Sequence, residues 1–300
     1  MQSLFNYLEI ELEELPSKGL LYNKDAKIRG RFLTIQDIKL ISLITEQNST
    51  KIINEIIRKC FEFENMVIDD LFLCDRQYLA FWLRANSFIK ENGYKIEIKG
   101  CKTCNQGFTS NITLDELQIN YLNRIPDPII LPNSEDVVNI KLPKLKDLMY
   151  VDDDFDIQMM ARMIDVENPL QYIYNLNARD YVALLDYCKK FNVGFSNIIE
   201  LECPHCHFTN TVRILMTDMS VFSSFNMIDI INLTTRITKY TGVQISDSMP
   251  WAELEMLKDV TDAMIKEENE ENAKQEAKAK AQAAAARSRH TSSRPKMPHR

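Results

Sequence analysis

The chain opens with Tyr7-Leu-Glu-Ile-Glu-Leu12, where apolar and polar residues alternate. Alternation at period two turns one side of an extended strand to a core and the other to water, so this run predicts an edge strand. Pro16 and Gly19 break it with a turn, and a second short strand is expected from Lys27 to Leu33. From Thr34 the spacing changes: Ile35, Ile38, Ile41 and Ile44 form a helical stripe, and Thr34 with Asp37 makes a capping-box start. A helix beginning at Ser49 or Thr50 carries Ile52, Ile53, Ile56, Ile57 and Cys60 on one face. A third covers Gln77 to Ile89, where Leu79, Phe81, Trp82, Leu83 and Phe88 are too dense in apolar groups to stay exposed.

Two further alternating stretches, Tyr94 to Gly100 and Asn197 to Glu202, each run into a pair of cysteines, Cys101-Lys-Thr-Cys104 and Cys203-Pro-His-Cys206. Downstream, Phe108-Thr-Ser-Asn-Ile112 echoes Phe208-Thr-Asn-Thr-Val212, so each pair is expected to cap a β-hairpin. Gly107 is the expected positive-φ residue where the first hairpin reverses. The 98 residues between the pairs exceed any hairpin loop and must fold as an insertion. The insertion reads as a strand from Val137 to Leu142, helices over Leu145 to Tyr150, Ile157 to Ile164 and Leu170 to Leu176, and a longer helix from Ala178 capped by Asn177.

After Met216 only helical patterns remain: Ile228, Ile230, Ile231, Leu233 and Ile237, a break at Tyr240-Thr-Gly-Val243, then an amphipathic stretch from Trp251. Trp251, Leu254 and Leu257 are candidate partner-binding residues. Asn272 to Arg287 has high helix propensity without an apolar stripe, as in a fraying, partner-dependent helix, and Ser288 to Arg300 is expected to be disordered when alone. The expected fold is α+β and mainly helical, a helical body with short β-hairpins and a C-terminal helical extension. Its parts are a strand-turn and helical segment at 1–92, the hairpins with their insertion at 93–216 (insertion 105–196), helices at 217–271 and a basic tail at 272–300.

Two residues between cysteines let both sulfurs of a knuckle face one ion, and two such pairs supply the four soft ligands of a tetrahedral site. Cys101, Cys104, Cys203 and Cys206 are therefore expected to hold one structural Zn2+ per chain as a split zinc ribbon. His205 and His207 are alternative ligands for a mixed site. A redox dithiol would make one pair redundant, and a catalytic zinc would need a vacant position beside an acid or base. Cys60, Cys74 and Cys188 follow apolar residues on core faces and read as packing.

Composition narrows the function. No membrane-length apolar run occurs, and Met1 to Glu9 lacks the basic region of a secretory signal. Seven cysteines, four of them in metal-type spacing, suit a reducing cytoplasm. Only seven glycines are present, in no phosphate-cradling pattern, and all four histidines lie beside the second knuckle or in the tail, so no enzyme is expected. The acid run Asp152-Asp-Asp-Phe-Asp156 reads as a solvated helix start, with a divalent-cation site as the sharper alternative. Ala273 to Arg300 carries eight Lys or Arg against one acid, while the chain as a whole has a net charge of −7. A basic tail on an acidic body admits nucleic acid as a ligand, yet the tail has no aromatic residue to stack on bases.

Residues 1 to about 220 resemble baseplate hub and tail-assembly proteins of T-even-like, contractile-tailed bacteriophages. The resemblance is carried by Leu15-Pro-Ser-Lys-Gly-Leu-Leu-Tyr22, by Ile28-Arg-Gly-Arg-Phe-Leu-Thr-Ile35 and by the knuckle Leu201-Glu-Cys-Pro-His-Cys206. Tyr240-Thr-Gly-Val-Gln-Ile-Ser-Asp-Ser-Met-Pro-Trp251 is similar to a turn in phage tail-assembly chaperones. The resemblance implies a non-enzymatic protein of the host cytoplasm during assembly and of the virion tail, with other tail or hub proteins, including the tape-measure protein, as partners. A zinc-ribbon regulator that binds nucleic acid is the alternative.

Overall fold

The computed structural model describes residues 7–89, 93–196, 198–213, 221–222 and 225–292. Its first sheet has the order β1 (Leu8–Ile10), β2 (Lys27–Gly30), β3 (Phe61–Glu64), all antiparallel. β3 was not among the expected strands, although Phe61 and Phe63 alternate with glutamates; it follows directly on a helix, which masks so short a signal. Gly30 pairs with Phe61, and a Cβ there would lie 2.6 Å from the Phe61 ring and 2.8 Å from Trp82. The glycine leaves room for the two rings, 5.7 Å apart, to cross the strand.

α1 (Ile35–Ile41) starts with the expected capping box, Thr34 and Asp37 bonding reciprocally. Asp37 also takes Arg31 Nη1 at 2.6 Å, so the buried guanidinium and carboxylate neutralise each other. The helix stops before Ile44, which packs on the core from the following turn. α2 (Ser49–Cys60) and α3 (Leu73–Ser87) complete the layer on the sheet, α3 starting at Leu73 rather than Gln77. α7 (Met227–Thr241) ends at Gly242, whose φ of 71° closes the helix. α8 (Trp251–Ser292) is stitched to the body by Ile35 N–H to Met249 O and Trp251 N–H to Leu33 O. Ile230, Ile237, Trp251 and Leu254 thereby join the same core as Ile28, Ile53 and Leu79.

The insertion has its own core. β7 (Ile129–Ile130) pairs with β8 (Val137–Val138), and α4 (Phe155–Met163), α5 (Pro169–Tyr174) and α6 (Ala178–Lys189) bury Leu131, Met160, Ile164, Ile173, Leu184 and Cys188. The expected strand to Leu142 shortens to two residues, with a single bridge from Ile140 to Ile164, and Leu145–Met149 is a 3-10 turn rather than an α-helix. Asn177 caps α6 as expected. The lobe is seated on the body where β6 (Ile119–Asn120) pairs with β9 (Gly194–Phe195) and the Phe195 ring meets Phe81 at 4.7 Å. α8 is helical as far as Ser292, beyond the point where the tail was expected to lose structure; the rest of the tail lies outside the described residues.

Candidate metal centre

Two hairpins carry the cysteines. β4 (Tyr94–Ile98) and β5 (Phe108–Ile112) pair from Tyr94↔Ile112 to Ile98↔Phe108, and β10 (Ile198–Glu202) and β11 (Thr209–Arg213) pair from Ile198↔Arg213 to Glu202↔Thr209. Their tips repeat one backbone design. Cys101 N–H donates to Gln106 O and Asn105 N–H to Cys101 O; Cys203 N–H donates to Phe208 O and His207 N–H to Cys203 O. The residue after the second cysteine is left-handed in both, Asn105 at φ 57° and His207 at φ 58°. Asn and His tolerate that region better than most side chains. Gly107 is not the positive-φ residue: a Cβ there would sit 3.1 Å from Lys99 O and 3.2 Å from Ile98 O, so this glycine serves a close backbone approach in the longer first loop.

The four thiols converge. Cys101 Sγ lies 3.6 Å from Cys206 Sγ, Cys104 Sγ lies 3.7 Å from Cys203 Sγ, and all four sulfurs fall within 4.8 Å of one another. A tetrahedron with metal–sulfur bonds of about 2.3 Å has sulfur–sulfur edges of about 3.8 Å, which the 3.6 and 3.7 Å pairs match, and a bound ion would draw in any of the other separations that approach 4.8 Å. Cys101 and Cys203 are buried, and Cys104 and Cys206 are half-buried at the outer side. Backbone N–H groups of Cys104 and Thr103 and the Asn210 amide draw the Cys101 thiol down to about 6. At Cys206 the Phe208 N–H pulls the same way, but burial and the three neighbouring thiols push it up to about 12. Four thiolates this close repel one another, and a dication removes that repulsion.

Asn210 was not singled out from the sequence, where it occupies the place of Ser110 in the repeated strand. It is 2 % exposed, accepts from Lys102 N–H at 3.0 Å and directs its amide at Cys101 Sγ at 3.5 Å. It therefore ties the second hairpin to the first knuckle as well as supporting a thiolate. The available signal was an amide on the inward side of an alternating strand.

His205 and His207 stand outside the sulfur group and are exposed; His207 Nδ1 meets Glu202 Oε1 at 2.6 Å instead. Asp154 caps α4, Asp152 accepts from Tyr174, and Asp156 pairs with Lys189 at 3.2 Å, so the acid run is engaged in local contacts. Cys60 and Cys188 are buried in the two cores, and half-buried Cys74 directs its thiol at Asp75. Trp251 and Leu254 are buried and Leu257 is partly buried, all in the chain's own core; the Trp251 ring meets Phe225 at 5.7 Å and Phe88 at 6.2 Å. Among the described residues, Met256, Val260 and Met264 are the large apolar side chains that α8 exposes.

Among the described residues no helix is long and apolar enough to cross a membrane. A family model described as T4 bacteriophage base plate protein matches residues 8–223, which takes in both hairpins and the lobe and leaves α7 and α8 outside. No curated protein and no solved structure gives a significant match.

Proposed function

The chain belongs to the family of T4 bacteriophage base plate proteins, and from that membership we propose a structural baseplate component whose hairpins are locked by one zinc ion. The carrying observation is the convergence of four sulfurs from knuckles that the sequence separates by 98 residues. A soft, tetrahedral donor set of this kind suits zinc and leaves no open coordination position for chemistry. Cys101, Cys104, Cys203 and Cys206 would hold the ion, and its contribution would be to the fold.

Within the baseplate the proposed place is the hub, as a component or an assembly factor, which the resemblance of Leu15 to Tyr22 and of the second knuckle supports. Trp251 and Leu254 anchor α8, and its 42 residues, about 63 Å of helix, extend a surface that would engage another tail protein, the tape-measure protein being one such partner. Metal analysis of protein purified without chelator tests the centre: one zinc per chain is expected, and none would overturn it. Co-purification of baseplate proteins with the full chain and with a chain ending at Met264 tests α8. Loss of a partner from the shortened but still folded chain is expected, and an unchanged partner set would remove that role from the helix.

A further inference from the structure

We propose that the cleft between the Leu15–Tyr22 turn and the inserted lobe is a docking site for an acidic peptide segment of a partner protein. The cleft has a volume of about 790 Å³ and lies over the small apolar cluster of Phe72, Leu122 and Leu142. It is separate from the metal centre and from α8.

One rim is built with care around a single lysine. Ser17 is buried and donates its N–H to Asp75 Oδ1 at 2.9 Å, Pro16 O accepts Leu122 N–H at 2.8 Å, and Gly19 N–H reaches Ser17 Oγ at 3.2 Å. This scaffold holds Lys18 at φ 52° and Gly19 at φ 66°. Gly19 suits that backbone; Lys18 does not, and a non-glycine residue there costs about 1 kcal/mol or more. The strained lysine is thereby delivered to the cleft, with its ammonium 5.3 Å from the Tyr121 ring centroid and 3.3 Å from Asn123 Oδ1.

The opposite rim mirrors it. Lys190 closes α6 with its ammonium 5.8 Å from the Tyr187 ring centroid, and Tyr187 is held by its hydroxyl on Asp127 O at 2.9 Å and by the edge of Phe191. Arg124 adds a third cation, loosely paired with Asp127 at 3.7 Å where both are exposed. Among the described residues neither Lys18 nor Lys190 meets a carboxylate, although acids outnumber Lys and Arg by 43 to 36. In so acidic a chain, two ammonium groups resting on aromatic rings across one cleft point to anionic groups from outside. The ring faces decide which anion. A lysine sits over one face of each of Tyr121 and Tyr187, which competes with base stacking there, while Asn120 and Asn192 line the cleft where amides can pair with a peptide backbone.

The test uses the full chain with zinc retained, a fluorescently labelled octaglutamate peptide and a labelled oligothymidylate of equal charge, titrated over a range of salt. The peptide is expected to bind with an affinity that falls as salt rises. Combined Lys18→Glu and Lys190→Glu changes should weaken it by about tenfold or more, whereas Lys51→Glu on α2, which does not line the cleft, should not. Lys18→Gln with Lys190→Gln gives a milder loss and serves if charge reversal disturbs folding, which the melting temperature reports. Peptide affinity indifferent to both lysine pairs would overturn the site. So would no binding at low salt, or tighter lysine-dependent binding of the oligothymidylate. None of these outcomes depends on the metal or on baseplate membership.

Discussion

The hairpin region and the inserted lobe are joined end to end in the chain but are held together by different physics. The lobe buries Leu131, Met160, Ile164, Ile173 and Leu184 in a core of its own. Each hairpin is a two-stranded sheet of five-residue strands, a unit that is marginal in water unless something else holds it. Part of that support is apolar, through Ile96, Phe108, Ile199 and Leu201 on the main core, and the rest converges on four sulfurs and Asn210. Burial spreads its stabilisation over many contacts, whereas a metal centre concentrates it at one point.

The buried aspartates differ in the same way. Asp75 in the body and Asp180 in the lobe are both fully inaccessible. Loss of solvent is the largest influence on each and pushes both upward. At Asp75 it wins over the donors Ser17, Tyr22 and Cys74, so this carboxyl lies above its ordinary value of 3.8. At Asp180 the N–H groups of Asn133 and Ser134 and the Asn177 amide together outweigh it, and the carboxyl lies below 3.8. A carboxylate surrounded by backbone donors is solvated by the protein; one with fewer such donors is not.

The contrast is broken most directly at the four sulfurs. If the four sulfurs hold zinc as proposed, Cys203→Ser is expected to lose the metal and a large part of the stability, the scale for small zinc modules being about 10 to 16 kcal/mol of binding free energy. Hydrogen exchange should then rise in β4, β5, β10 and β11 while α4 to α6 stay protected; equal loss of protection in the lobe would show that the two regions are one cooperative unit. The reciprocal change, Leu184→Ala, should cost about 2 to 5 kcal/mol and open the lobe, with the amount of any metal at the four sulfurs unchanged. Asn210→Ala comes next. Loss of its buried bonds should cost about 1 to 3 kcal/mol and lower metal affinity roughly 10- to 100-fold, read by competition with a chelating dye.

The aspartates give a subtler test. Because Asp75 is raised, its contribution is fully present below pH 3.8 and is lost as pH rises through its folded value; Asp180 is lowered, so its contribution is present above pH 3.8 and is lost as pH falls below that. Denaturant midpoints followed against pH should show the rising-pH loss flattened in Asp75→Asn and the acid loss flattened in Asp180→Asn, and identical profiles for both variants would contradict the assignment. The smallest effect belongs to His207→Asn, which removes the ring's exposed contact with Glu202 while keeping a side chain that tolerates the left-handed backbone, and should change stability by at most about 1 kcal/mol with the metal content unchanged. Loss of metal in that variant would return histidine to the ligand set.

Much of this was legible from residue order, because caps, periodicity and knuckles are local. Thr34 with Asp37, Asn177 ahead of α6, Gly242 after α7 and both cysteine hairpins each depend on residues a few positions apart, and all formed where their spacing indicated. Short strands were less legible: β3 carries too few alternations to compete with the neighbouring helix signal, and the strand expected from Val137 to Leu142 paired only at Val137–Val138. Trp251 and Leu254 show the limit most plainly. Their spacing marks an apolar helix face, but whether that face meets a partner or the chain itself depends on Leu33, Phe88 and Met249 being brought beside it. The same holds for the juxtaposition of Cys101 with Cys206, for Asn210 reaching across to Lys102, and for Lys18 facing Lys190 over a cleft. Local backbone preference and hydrophobic period act over one or two turns of chain, so the sequence by itself determined the elements and the donor types; only tertiary packing, which acts between residues a hundred positions apart, decided which of them meet.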